Sequence, residues 1–134
     1  MEVALRTGAP GDGRDPLTDK IIGLAIEVHR SLGPGLLESA YEECLCHDLK
    51  SAGMSVRRQV PVPLVYREVR LDSGYRADVI VDDLVLLEIK AIERLLPIHA
   101  AQMLTYLKLA RVKVGLLLNF NVEVLRHGIR RFVN

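Results

Sequence analysis

The sequence predicts an α/β domain, a mixed central sheet flanked by helices in the order α-α-β-β-β-α-β-β. Three observations carry that class. Two early stretches, 19–32 and 36–52, repeat apolar residues at helical spacing. The middle of the chain alternates, or runs apolar, in pieces of strand length. A third helical stretch, 98–111, separates two apolar strands, "LVLLEIKA" and "VKVGLLLNF". A strand, helix, strand succession in one sheet crosses over right-handed, which makes those two strands parallel neighbours.

Residues 1–16, "MEVALRTGAPGDGRDP", hold several glycines and prolines and lack the charged and apolar regions of a signal peptide. They are expected as a flexible tail ahead of one domain, 17–134. Thr18 is expected to cap the first helix, about Asp19 to Leu32, with Ile21, Ile22, Ala25, Ile26 and His29 on its apolar stripe. "GPG", 33–35, stops that helix. The second helix, about Leu36 to Ala52, is expected to bury Leu37, Tyr41, Cys44, Leu45 and Leu49, and Gly53 ends it. "SVRRQVPVPLVYREVRL" alternates and carries two prolines, so it reads as an edge strand or two short strands meeting at a bend. "YRADVIV" and "LVLLEIKA" form a hairpin about Asp82 and Asp83, Pro97 opens the third helix, and "GIRRFVN" closes the sheet.

At 134 residues the chain fits a single hydrophobic core, and 49% of it is apolar. That fraction is high for a small monomer and leaves a homodimer open. The net charge of +1 does not advertise nucleic-acid binding, although it permits a local basic patch. Cys44 and Cys46 lie two apart, a spacing at which helical side chains do not face each other. They are expected as reduced thiols of a cytoplasmic protein. No apolar run is long enough to span a membrane.

The hairpin holds the chemistry. Side chains alternate along a strand, so Glu88 and Lys90 share one face while Leu87 and Ile89 line the other. An unpaired charge taken out of water costs several kcal/mol, so charges on an apolar strand need partners, solvent or a task. Asp78 is a further charge on the first arm. Two carboxylates beside a lysine make a hard-oxygen site suited to Mg²⁺ or Mn²⁺. Register decides the matter. A two-residue turn places Asp78 opposite Leu87, on the wrong face; a three-residue connection or a bulge places it across from Glu88.

The pattern of Asp78 followed by Glu88-Ile89-Lys90 resembles the PD-(D/E)XK nuclease superfamily, as does the strand, strand, helix, strand order. "GLLESAY", with Gly35, Glu38 and Tyr41, resembles the motif of the GxxExxY family of small bacterial and archaeal proteins. "HAAQMLTYLK" places Gln102 and Tyr106 four apart, similar to the Q-x(3)-Y motif of RecB-like nucleases. The resemblance runs from about Leu17 to Asn134. It implies a restriction-endonuclease-like core and Mg²⁺- or Mn²⁺-dependent hydrolysis of phosphodiester bonds in DNA. Asp78 and Glu88 would hold the metal, Glu38 would complete its shell, and Ile89 would lend its carbonyl. Lys90 would orient the attacking water, and Gln102, Tyr106 and Tyr41 would meet the substrate. Glu38, Asp78, Glu88 and Lys90 together carry a net charge of −2, which one divalent ion neutralises.

Two other readings compete: a catalytically silent module of the same fold that binds nucleic acid or a protein, and a homodimer in which these charges make ion pairs. His29 reads as a core histidine, and His47 as solvated. His99 either borders the site or begins the third helix. Arg57, Arg58, Arg67, Arg70 and Arg76 form a phosphate-binding surface or blunt an exposed edge, and Arg126, Arg130 and Arg131 carry the same ambiguity.

Overall fold

The structure is a computed structural model that describes residues 2–4, 15–72 and 74–134. Helix α1 (Pro16–Leu32) is capped by Asp15, whose carboxylate accepts from the Thr18 N–H at 2.7 Å. Pro16 follows at the first helical position, where a missing N–H removes no intrahelical bond. Thr18, the expected cap, lies one turn inside instead, buried with its hydroxyl donating to Asp15 at 2.6 Å. Gly33, at φ 69°, ends the helix and donates its N–H to the His29 carbonyl.

Helix α2 (Glu38–Ser51) buries Tyr41, Glu42, Leu45, Cys46 and Leu49. Leu37 and Cys44, expected in that stripe, face solvent. With Tyr41, Leu45 and Leu49 inward at four-residue steps, the helical period brings in the residues just after them. Glu42 and Cys46 therefore turn inward and Cys44 does not.

Strand β1 is Glu2–Ala4, and between α2 and the third helix run β2 (Val56–Pro61), β3 (Leu64–Tyr66), β4 (Val69–Leu71), β5 (Arg76–Val81) and β6 (Val85–Lys90). Helix α3 (Pro97–Ala110) leads to β7 (Val114–Asn119), a 3-10 helix (Leu125–Gly128) and β8 (Ile129–Val133). The main sheet has the order β1-β8-β7-β6-β5-β2, and β3–β4 pair apart from it. β6 and β7 are parallel with Val85 beside Val114, and the other neighbours are antiparallel. Of the expected tail, Glu2–Ala4 pairs with β8, Asp15 and Pro16 belong to α1, and residues 5–14 lie outside the described residues.

Both sheet faces are covered, which explains the near-continuous apolar character of β6 and β7. α1 and α2 pack over Val79, Val81, Val85, Leu87, Ile89, Leu116 and Leu118. On the other face α3 packs Met103 and Leu107 over Ile80, Leu86 and Leu117. Gly115 lets α3 come close, because a Cβ there would lie 2.5 Å from the Met103 sulfur. Alternation places Asp78, Glu88 and Lys90 on the α3 face, in line with Ile80 and Leu86.

The β5–β6 connection settles the register. Asp82 and Asp83 take left-handed φ values of 52° and 55°, which aspartate tolerates better than most residues. The Leu84 N–H closes the turn on the Val81 carbonyl at 2.9 Å, yet Val81 pairs with Val85. Leu84 is thus one residue extra, largely exposed, and without a positive φ. Val79 pairs with Leu87, so the next position sets Asp78 across from Glu88. The Asp82 carboxylate accepts from the Ser55 N–H and Asp83 from Arg57, which anchors the turn to the start of β2.

Candidate active site

Beyond Val79 and Leu87 the ladder between β5 and β6 gives way to side chains. The Asp78 N–H donates to the Glu88 carboxylate at 2.8 Å, and the Ile89 N–H donates to the Asp78 carboxylate at 2.7 Å. Each acid thus satisfies a main-chain donor of the opposite strand. A strand residue points its N–H and C=O to the same side, so Ile89 also turns its carbonyl toward β5. On the far side of β5, pairing with β2 runs through Arg58–Val79 and resumes at Val60–Ala77. Gln59, at φ 50°, breaks it opposite Asp78.

Glu88 is only 4% exposed. Burial, and then the neighbouring Asp78, push its pKa up to about 8. Burial also raises that of Asp78, against the pull of the Ile89 N–H. Lys90 draws both downward, but less than burial lifts them. Two close carboxylates, one buried and one half-buried, disfavour their doubly charged form and gain from any cation placed between them. In oxygen chemistry and charge the pair fits a hard divalent ion.

Lys90 lines the wall of a cleft of about 510 Å³, together with Leu64, Tyr75, His99, Gln102 and Tyr106. Gln102 donates its amide to the Tyr106 hydroxyl at 3.1 Å. Burial, and next the charge of Glu88, raise the Tyr106 pKa. Tyr75 meets the Tyr106 ring edge-on at 6.5 Å between centroids. His99 serves both expected ways at once: its Nδ1 accepts the Leu96 N–H at the start of α3, and its ring borders the cleft.

Glu38 and Tyr41 come from α2. α2 packs on the opposite sheet face, and Glu38 reaches around the strand end to accept the Ala91 N–H at 3.0 Å. Among the described residues no three His, Cys, Asp or Glu side chains gather as a metal site, yet the Glu38 charge reaches Glu88 and adds to the rise in its pKa. Tyr41, expected at the substrate, is fully buried and stacks on Phe120 with centroids 4.5 Å apart. Its hydroxyl donates to the Gly33 carbonyl at 2.6 Å and accepts the Leu36 N–H at 3.1 Å. The two groups bracket the "GPG" turn, so Tyr41 fixes the entry to α2 and has no free polar atom for a substrate.

Sequence reasoning missed Glu42, Gln59 and Asn119. Glu42 is 7% exposed, accepts two bonds from Arg58 at 2.8 and 3.0 Å, and accepts the Gln59 amide at 3.1 Å. Through this arrangement its charge reaches Asp78 and adds to the rise in that pKa, while the Gln59 amide opposes it. The available signal was its place four residues after Glu38, on the same helix face. Asn119 ends β7, buried, and grips both the N–H and the carbonyl of Ile92. It fixes the bend just after Lys90.

Several of the remaining charges are paired. Arg57 binds Asp83, Arg58 binds Glu42 and Glu43, and Arg70 binds Asp72, which spends much of the expected arginine surface on ion pairs. Arg131 is buried beside Asp15, and Arg130 donates to main-chain carbonyls. His29 is a satisfied core histidine, its Nε2 donating to the Val122 carbonyl at 2.7 Å. Cys44 and Cys46 are free thiols, one exposed and one buried.

A crossover α/β sheet thus carries an acid pair and a lysine near one strand end, below the polar face of α3. The family model described as the PD-(D/E)XK nuclease superfamily matches residues 15–132, and the chain belongs to that superfamily. Its sheet and helices are a restriction-endonuclease-like core. No curated protein and no solved structure matches the chain significantly. No helix among the described residues is long and apolar enough to cross a membrane.

Proposed function

We propose that this chain is a divalent-metal-dependent nuclease of the GxxExxY kind that hydrolyses phosphodiester bonds in DNA. The observation that carries the reading is the crosswise Asp78–Glu88 pair, set on one sheet face with Lys90 beside the Gln102–Tyr106 cleft. Asp78 and Glu88 would hold Mg²⁺ or Mn²⁺, with the Ile89 carbonyl and Glu38 as further oxygen donors. Such an ion supplies Lewis acidity to a phosphate and lowers the pKa of water.

The chain's own residues do the rest. Lys90 brings an ammonium to the mouth of the acid pair, where it offsets charge developing on a phosphate and orients the attacking water. Gln102 and Tyr106 form one hydrogen-bonded unit on α3 that positions the substrate strand. Gln59, itself held by Glu42, braces Asp78 from the β2 side. Two free cysteines fit a reducing, cytoplasmic setting.

The test is cleavage of end-labelled single-stranded DNA, double-stranded DNA and matched RNA with Mn²⁺ or Mg²⁺. DNA is expected to be cut with metal and left whole in EDTA, and Asp78→Asn is expected to abolish cutting. Binding without cleavage of any of the three would replace the nuclease with a binding module of the same fold.

A further inference from the structure

The β3–β4 hairpin stands apart from the main sheet, and one of its faces continues the cleft. Leu64 lines that cleft. Tyr66, two residues on, shares its face, and their partners across the hairpin are Leu71 and Val69. The chain returns from the hairpin through Tyr75, which also lines the cleft and touches Tyr106.

The tyrosines and phenylalanines are divided sharply. Tyr41, Phe120 and Phe132 are fully buried, and Tyr106 lies in the cleft wall. The two exposed rings, Tyr66 at 61% and Tyr75 at 46%, both lie on the hairpin or its return. Arg67 follows Tyr66 at the tip, with φ at 53°, a left-handed position that glycine takes freely and arginine does not. The arginine held there lays its guanidinium over the Tyr66 ring, 5.2 Å from the centroid. An exposed aromatic ring backed by a cation, on an apolar face that leads to a phosphodiester site, has the chemistry of a platform for unpaired bases.

We propose that the β3–β4 hairpin stacks unpaired nucleotides on Tyr66 and guides a single strand past Tyr75 into the cleft. This rests on the nuclease reading and narrows its substrate to nucleic acid with a single-stranded stretch. A duplex keeps its bases stacked on one another and offers Tyr66 no free face.

Fluorescence anisotropy tests it, with a labelled oligothymidine and a blunt duplex of the same length, in EDTA so that nothing is cut. The single strand is expected to bind more tightly than the duplex. Tyr66→Ala should weaken single-strand binding on the order of tenfold, leaving duplex binding and the melting temperature unchanged. Tyr66→Phe should retain binding. Arg67→Gly should raise the melting temperature by releasing the left-handed strain, yet weaken single-strand binding. Unchanged single-strand affinity in Tyr66→Ala overturns the proposal, as does an equal loss on both substrates. So does a change of oligomeric state in Tyr66→Ala, which would make the hairpin a protein-binding arm. The assay needs neither metal nor turnover, so a failure of cleavage and a failure of stacking are read separately.

Discussion

At the scale of single residues, Glu88 holds the most consequential charge. Its raised pKa means that the folded protein keeps a proton there which the unfolded chain loses near pH 4.5. Its contribution to stability is therefore fully present below about pH 4.5 and is lost as pH rises toward about 8. Between pH 6 and 8 the melting temperature of the metal-free protein should fall relative to that of Glu88→Gln, which keeps an acceptor for the Asp78 N–H but cannot ionise. Thermal melts of both proteins across that range check it; parallel curves would contradict it. Asp78, Glu88 and Lys90 were legible in the sequence because a charge inside an apolar strand demands an explanation. Glu42 was not, since a glutamate on a helix reads as solvated until the packing of α2 against the β2–β5 edge is known.

At the scale of elements, the crossover from β6 through α3 to β7 followed from chain order alone, because connection handedness leaves one arrangement. The hairpin register did not. It depends on Leu84 being spent as an extra residue after two left-handed aspartates, and turn geometry of that kind has no reliable mark in sequence. Deleting Leu84 should shorten the connection to two residues and move Asp78 to the face opposite Glu88, a slip that also reverses the inward residues of β5. Loss of cooperative unfolding is the expected result, and an active, cooperatively folded deletion would contradict the assignment. Tyr41 departs from its expected place at the substrate for a related reason: spacing puts it on a helix face with Glu38, but does not reveal that the "GPG" turn folds back onto its hydroxyl. Tyr41→Phe leaves the Leu36 N–H and the Gly33 carbonyl without their partner and should cost about 1–3 kcal/mol. Denaturant unfolding measures the loss, while DNA affinity per folded molecule should stay the same.

At the scale of the whole molecule, the sheet and α3 enclose Asp78 and Glu88, so folding takes two carboxyl groups largely out of water and raises the pKa of each. A divalent ion bound only by the native state should raise the melting temperature by mass action. Asp78→Asn should remove most of that response and leave the metal-free form as stable as before or more so. A melt unchanged by millimolar-range Mn²⁺ would contradict the metal assignment without touching the fold. The proposed action of Lys90 on the reacting phosphate is read out by single-turnover cleavage of labelled DNA with Mn²⁺ by Lys90→Ala. The rate should drop by a factor on the order of 10² or more, with metal binding and folding retained. Lys90→Arg should fail to restore it, since a planar fork does not replace a compact ammonium. Full activity in Lys90→Ala, or full rescue by arginine, would remove that role from Lys90.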